Sequence, residues 1–107
     1  MRKDEVYAAL SGCGVPLAFM AWPRGSAPPL PWAVYRLDED GAMYADGERW
    51  FDASRWALEL YEAAPDRGTE SAVESTVRSA FGDFSKQEAW IDEEDCLMTT
   101  YTFQVRS

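Results

Sequence analysis

The sequence has no histidine and only two cysteines, Cys13 and Cys96, among its 107 residues. Without an imidazole the chain cannot form a Ser-His-Asp triad or a Cys-His pair, and it lacks the ligands of the usual zinc sites. The two thiols have no Cys-x-x-Cys spacing, so a redox motif is not indicated. A disulfide between them stays open as an alternative, but it is not favoured because nothing in the sequence indicates secretion.

Basic residues and long apolar runs are also scarce. Ten Lys and Arg stand against nineteen Asp and Glu, which gives a net charge of -9 and a pI near 4.3. Binding to a phosphate backbone needs clustered basic residues, so we expect no nucleic-acid partner. No segment approaches the roughly 20 apolar residues of a membrane helix, and residues 2–5 open a polar helix and not a signal region. We therefore expect no membrane contact and a cytoplasmic compartment.

Apolar residues are plentiful, at 47% of the chain, and five Trp, five Tyr and five Phe supply large areas for burial. A chain of this length fits one domain with a single core. Its clearest segment begins with Pro28, Pro29 and Pro31, which lack amide donors and stiffen the approach to an apolar, β-favouring run from Trp32 to Leu37. A strand should begin just after Pro31.

The periodicity of the remaining chain predicts an α+β fold, a small antiparallel or mixed sheet packed by two helices, in the order α-β-β-β-α-β-β. One domain should span residues 1–107. The predicted elements are a helix at 2–11, strands at 17–22, 32–37 and 48–62, a helix that ends at Gly82, and strands at 84–91 and 96–105. The apolar face of the last strand should pack on the second helix.

The second helix is predicted from apolar residues at i, i+4, i+7 and i+8, which are Val73, Val77, Ala80 and Phe81. Two starts are open. Ser71 and Glu74 have capping-box spacing, and Thr69 is the alternative N-cap.

The third predicted strand, 48–62, is too long to lie flat in a domain of this size. Its alternation places Trp56, Leu58 and Leu60 on one face. At roughly 3.3 Å per residue it would span about 50 Å, so it either bends near Ala53 and Ser54 or protrudes as a hairpin arm after an Asp46-Gly47 turn. Aromatic and charged residues flank this arm, and we predict a subunit interface there, formed by Tyr44, Arg49, Trp50, Phe51, Asp52 and Arg55.

Acidic runs are the remaining candidates for chemistry. Residues 38–41 predict a turn that matches only part of a calcium loop, and residues 92–95 predict a solvated hairpin tip. Asp46, Glu48 and Asp52 have no nucleophile or cofactor motif beside them. We expect no catalytic residue, no metal and no cofactor.

In its succession of segments the sequence resembles the small tail-assembly proteins of siphophages and prophages, of the tail terminator or tail completion kind. The opening helix ends at Gly12, and the late helix leads into paired strands that end at 101–105. Between them lie "GSAPPLPWAVY" at 25–35, "YADG" at 44–47 and "ELY" at 59–61. The match covers nearly the whole chain.

The resemblance implies a structural, non-enzymatic α+β protein that assembles as a ring, commonly a hexamer, at the end of the tail tube near the head-tail joint. Its partners would be further copies of itself, the tail tube protein and head connector proteins. It would reside in the virion tail, and in the bacterial host cytoplasm during assembly. An acidic protein-binding module that mimics nucleic acid is the alternative, because the charge alone also fits that class.

Overall fold

The computed structural model describes the backbone of residues 2–40, 43–45, 48–51 and 53–106, and the side chains of residues 2–38 and 54–105. Two helices and seven strands follow one another in this part of the chain. In chain order they are α1 (Lys3–Leu10), β1 (Leu17–Phe19), β2 (Trp32–Asp40), β3 (Met43–Ala45), β4 (Glu48–Phe51), β5 (Ala53–Glu62), α2 (Arg67–Phe81), β6 (Phe84–Ile91) and β7 (Cys96–Arg106).

Five of the strands form one mixed sheet in the order β1-β2-β5-β7-β6. β1 runs parallel to β2, and the other neighbours pair antiparallel. β3 and β4 form a separate two-stranded antiparallel ribbon between β2 and β5 in the chain. This arrangement confirms the predicted α+β class and the order of helices and sheet strands. Among the described residues no helix is long and apolar enough to cross a membrane.

The core lies between the two helices and one face of the five-stranded sheet, which we call the helix face. Val6 and Leu10 of α1 and Val73 and Val77 of α2 are fully buried there. They pack on apolar side chains that alternation along the strands brings to this face: Ala33, Tyr35, Trp56, Leu58, Leu60, Tyr101, Phe103 and Val105. We call the opposite face the open face.

The predicted alternation along β5 is confirmed, because Trp56, Leu58 and Leu60 are all buried on the helix face. The prediction for the last strand is confirmed as well. Phe103 of β7 stacks on Phe81 in the last turn of α2, with ring centroids 4.9 Å apart. Each of these strands therefore carries one core face, as period-two patterning requires.

The start of α2 differs from both predicted caps. The helix begins at Arg67, and the side chain of Asp66 accepts a hydrogen bond from the Thr69 amide at 3.1 Å. Asp66 is thus the N-cap, three residues before the predicted cap Thr69. Its carboxylate accepts a hydrogen bond from an amide of the first turn that has no partner within the helix. Ala80 is exposed and does not join the core, contrary to the prediction. Gly82 ends the helix as predicted, with a φ of 87° that glycine adopts without strain.

Two strand boundaries also differ from prediction. β1 ends at Phe19 and not at Trp22, because Met20 has a φ of 67° and its amide turns to the Tyr35 carbonyl at 2.9 Å. β2 continues to Asp40, where the sequence predicts a turn from Asp38. The strand persists because β5 offers it a partner strand as far as the pair Asp40 and Ser54.

The long predicted strand 48–62 is divided into β4 and β5, which pair with different neighbours. Asp52, between them, lies outside the described residues, as does the predicted Asp46-Gly47 turn. β5 belongs to the five-stranded sheet, whereas β4 pairs only with β3 among the described strands. A hairpin arm joined to the ends of β2 and β5 therefore accounts for the length of the predicted strand.

Candidate subunit interface

The arm is a ribbon whose backbone pairing includes one irregularity. Tyr44 pairs with Arg49 and Ala45 with Glu48, whereas Met43 pairs with Phe51. The register therefore shifts by one residue, and Trp50 is the extra residue on β4. Such a β-bulge twists a two-stranded ribbon and changes the direction of the strand.

The predicted interface residues fall along this arm and at its root. Tyr44, Arg49, Trp50 and Phe51 lie on the paired strands of the ribbon, where the backbone alone is described. Asp52 lies outside the described residues. Arg55 stands at the root in β5, and its side chain is 48% exposed. The arm thus brings four of the six predicted residues together on one ribbon.

The root of the arm is held by a charged network on the open face. A second β-bulge in β2 makes Asp38 the extra residue, because Leu37 pairs with Trp56 and Glu39 with Arg55. The Asp38 carboxylate accepts hydrogen bonds from Arg36 Nη1 at 2.7 Å and from Arg55 Nε at 3.0 Å. These contacts join β2 to β5 just before the arm begins.

The network shifts the pKa values of two of its residues, Asp38 and Tyr61. The hydrogen bonds from Arg36 and then Arg55 hold the pKa of Asp38 below its usual value. Arg36 also lies 3.3 Å from Glu59 Oε2, and Glu59 accepts a hydrogen bond from the Tyr61 hydroxyl at 3.1 Å. Burial, followed by the charge of Glu59, raises the pKa of Tyr61 to about 12.

An aromatic cluster lies beside this network on the open face. Trp32 contacts Trp22 edge-on, with centroids 6.1 Å apart, and Tyr61, with centroids 4.6 Å apart. With the loop that follows β1, these rings line a cavity of about 290 Å³. The indole Nε1 of Trp22 is buried and has no acceptor among the described residues. The cluster places large apolar groups on the sheet face that the helices leave uncovered.

Among the described side chains, the buried carboxyl on the helix face is Glu62, at the end of β5. The residue is 2% exposed, and neither carboxyl oxygen forms a hydrogen bond with a described residue. Burial, followed by the charge of Glu70, raises the pKa of Glu62 to about 7. The sequence carried the signal, because the alternation that buries Leu58 and Leu60 places residue 62 on the same face.

Lys86 of β6 forms salt bridges with two carboxylates of α2. Its ammonium group lies 2.8 Å from Glu74 Oε2 and 3.2 Å from Glu70 Oε1. The Tyr101 hydroxyl donates to the same Glu74 oxygen at 3.0 Å. Burial favours the neutral acid, but the hydrogen bonds from Lys86 and Tyr101 outweigh it and lower the pKa of Glu74. β6 is thereby joined to α2.

The described side chains form no group of three or more Cys, Asp and Glu residues positioned to hold a metal ion. The acidic tip Asp92–Asp95 is a turn of exposed residues, as predicted. Cys13 and Cys96 are both buried free thiols, so the chain has no disulfide between them.

Comparison with known proteins gives a neighbour in fold. No family model matches the chain, and no curated protein matches it. Among solved structures, the fold is similar to that of a chain in "Virion of native gene transfer agent (GTA) particle", with a TM-score of 0.60 and 15% sequence identity. The alignment covers 99% of this chain and 87% of that chain. At this identity the likeness establishes a shared α+β fold over essentially the whole length.

Proposed function

We propose that this protein is a structural, non-enzymatic subunit of a phage-like tail, a tail terminator or tail completion protein. In this proposal it forms a ring, of six copies as is common in the family it resembles, at the end of the tail tube near the head-tail joint. The observation that carries the proposal is the whole-length likeness in fold to a chain of a gene transfer agent virion. The order of sequence segments points to the same class independently.

The arm supports ring formation. Among the described strands, β3 and β4 pair only with each other, so their outer edges can be covered by a neighbouring subunit. At the root of the arm, Arg36, Asp38 and Arg55 join the two sheet strands between which the ribbon lies in the chain. Trp50 and Phe51 are the aromatic residues that we assign to the contact with the next subunit.

The charge distribution favours this proposal over a nucleic-acid mimic. A mimic needs carboxylates in rows at phosphate spacing, without cations between them. Here Asp38 and Glu59 are paired with arginines, and Glu70 and Glu74 with Lys86. Mixed charges of this kind are suited to a contact between subunits.

The proposal is tested by replacing residues 41–53 with an Asn-Gly link between Asp40 and Ser54, which are paired in the β2–β5 ladder. Asn-Gly is a favoured two-residue hairpin, so the sheet should remain intact. We expect the protein with its arm to co-purify with the tail tube protein of its particle and to appear by electron microscopy as a ring at the tube end. The variant should stay folded and form no ring.

The single variants Trp50→Ala and Phe51→Ala should weaken assembly in the same way and leave circular dichroism unchanged. Glu93→Ala, in the exposed tip at 92–95, is the matched control and should assemble normally. Rings of unchanged stability without the arm would refute the interface. Failure of the wild-type protein to bind the tube at all would refute the tail role.

A further inference from the structure

β6 is an edge strand with an open side. It is the last strand of the five-stranded sheet and pairs only with β7 among the described strands. Residues 85–90 are all exposed, and Trp90, with 49% of its surface accessible, is one of the exposed large hydrophobic residues of the fold. Eight residues at roughly 3.3 Å each give an edge about 26 Å long. Such an edge is a template for another strand.

The sequence of β6 is self-complementary about its central residue. Reading outward from Gln87, Lys86 is matched by Glu88, Ser85 by Ala89 and Phe84 by Trp90. The pairs are thus opposite charges, two small residues and two aromatics. Charged residues on an edge usually discourage pairing with another strand. In this order they favour one partner, an antiparallel copy of the same strand.

We propose that the free protein forms a twofold dimer in which the β6 strands of two copies pair antiparallel with Gln87 opposite Gln87. The sheets of the two copies then become one continuous sheet. The contact is isologous, so each favourable side-chain pair occurs twice. It lies outside the arm, and it is proposed for the free protein, independently of ring assembly.

The side-chain positions agree with this register. Phe84, Lys86, Glu88 and Trp90 pair with helix-face residues of β7, and they therefore share that face. In the dimer Lys86 would face Glu88 of the second copy. Within one copy the Lys86 ammonium is 3.8 Å from Glu88, a looser contact than its contacts with Glu70 and Glu74. The Glu88 side chain is half exposed and is available to a second cation.

The aromatic ends fit in the same way. Phe84 is half-buried against Tyr101, with ring centroids 5.3 Å apart, and the Arg78 guanidinium lies 4.9 Å from the Phe84 ring centre. Its remaining surface lies at the strand end, opposite Trp90 of the second copy in this register. An aromatic cross-strand pair would cover the exposed indole. The other sheet edge is less suited to such pairing, because β1 has only three residues.

Cysteine cross-linking tests the register directly. In the proposed dimer the Cβ atoms at position 87 of the two copies are about 5 Å apart, whereas those at position 85 are about 14 Å apart. We expect Gln87→Cys to give a covalent dimer with a thiol cross-linker about 5 Å long, and Ser85→Cys to give at least tenfold less. The native thiols are buried, so the unsubstituted protein should not react. Equal cross-linking at 85 and 87, or none at 87, would overturn the proposal.

Sedimentation equilibrium gives the second test. Glu88→Lys places like charges opposite each other twice, and it should weaken dimerisation roughly tenfold or more, since each cross-strand charge pair contributes about 0.2–1 kcal/mol. Glu93→Lys changes the net charge equally but lies in the turn after β6, and its dimerisation should match that of the wild type or be slightly stronger. A wild-type protein that stays monomeric at millimolar concentration, or equal weakening by both variants, would overturn the proposal.

Discussion

Glu62 should make the protein less stable as the pH rises through neutrality, which is unusual for a carboxyl group. It lies buried at the end of β5, and the acidic groups around it, Glu70, Asp66 and Glu88, all disfavour its charged form. The Asp66 amide is near enough to favour the charge, but it does not reach hydrogen-bond geometry with either oxygen. Burial remains the largest cause of the raised pKa.

The size of the effect follows from proton linkage. The pKa of Glu62 is about 7 in the folded protein and near its ordinary value of 4.5 when the chain is unfolded. Between these values the folded state holds a proton that the unfolded state has lost, so the free energy of unfolding falls as the pH rises. The loss begins near pH 4.5 and is complete above about pH 7. It amounts to about 3 kcal/mol, since each pKa unit corresponds to about 1.4 kcal/mol.

The assay is urea unfolding of the wild type and Glu62→Gln at pH 5 and pH 8. Glutamine has nearly the same shape and cannot ionise, so its cost as a buried amide is the same at both pH values. Because part of the loss occurs below pH 5, the wild type should lose about 2.5 kcal/mol more than the variant between the two pH values. In thermal unfolding, the Tm of the wild type should fall between the two pH values by on the order of 10 °C more than that of the variant. Comparing the two proteins cancels the titration of all other groups.

Glu88→Gln is the matched control, because the Glu88 side chain is half exposed and neutralising it should leave most of the pH dependence in place. If Glu62→Gln and the wild type showed the same pH dependence within about 0.5 kcal/mol, Glu62 would not be a buried, unpaired carboxyl. A wild type that became more stable relative to the variant above pH 7 would refute the reasoning outright, because the sign would be reversed.

Three further substitutions, the first with a control substitution, test the fold. Asp66→Ala removes the N-cap of α2 and should cost about 1 kcal/mol in urea unfolding, whereas Ser71→Ala should cost little. A larger cost for Ser71→Ala than for Asp66→Ala would support the predicted cap at Ser71 instead. Leu58→Ala should cost about 3 kcal/mol in the same assay, because its side chain is fully buried; a cost below about 1 kcal/mol would place it outside the core. Asp38→Asn should lower the free energy of unfolding at pH 7, because it removes the charged contact with Arg36. Below the lowered pKa of Asp38 the wild-type carboxyl is itself protonated, so the substitution should have no such effect there. An equal loss of stability in both pH ranges would contradict this.

The elements were predictable from the sequence wherever one local pattern decided them. Period-two alternation identified the buried residues of β5 and β7, and helical spacing identified Val73 and Val77. The prolines correctly placed the start of β2 at Trp32. In each case the signal came from neighbours along the chain.

The errors arose where distant residues decide the structure. The acidic run from Asp38 resembles a turn, but pairing with β5 and contacts with two arginines keep it in a strand. The sheet order was also not predictable, since no local pattern shows that β7 lies between β5 and β6. The buried position of Glu62 follows from the alternation of β5, but only the three-dimensional structure shows that no described residue forms a hydrogen bond with its carboxyl.

Ring formation through the arm is the central claim, and the mass of the protein in solution tests it most directly. Sedimentation velocity should be measured over a concentration series for the wild type and for the Asn-Gly variant that lacks residues 41–53. We predict a ring-sized species of the wild type that grows with concentration and is absent from the variant, while any dimer through β6 persists in both. Identical mass distributions for the two proteins at every concentration would contradict the account.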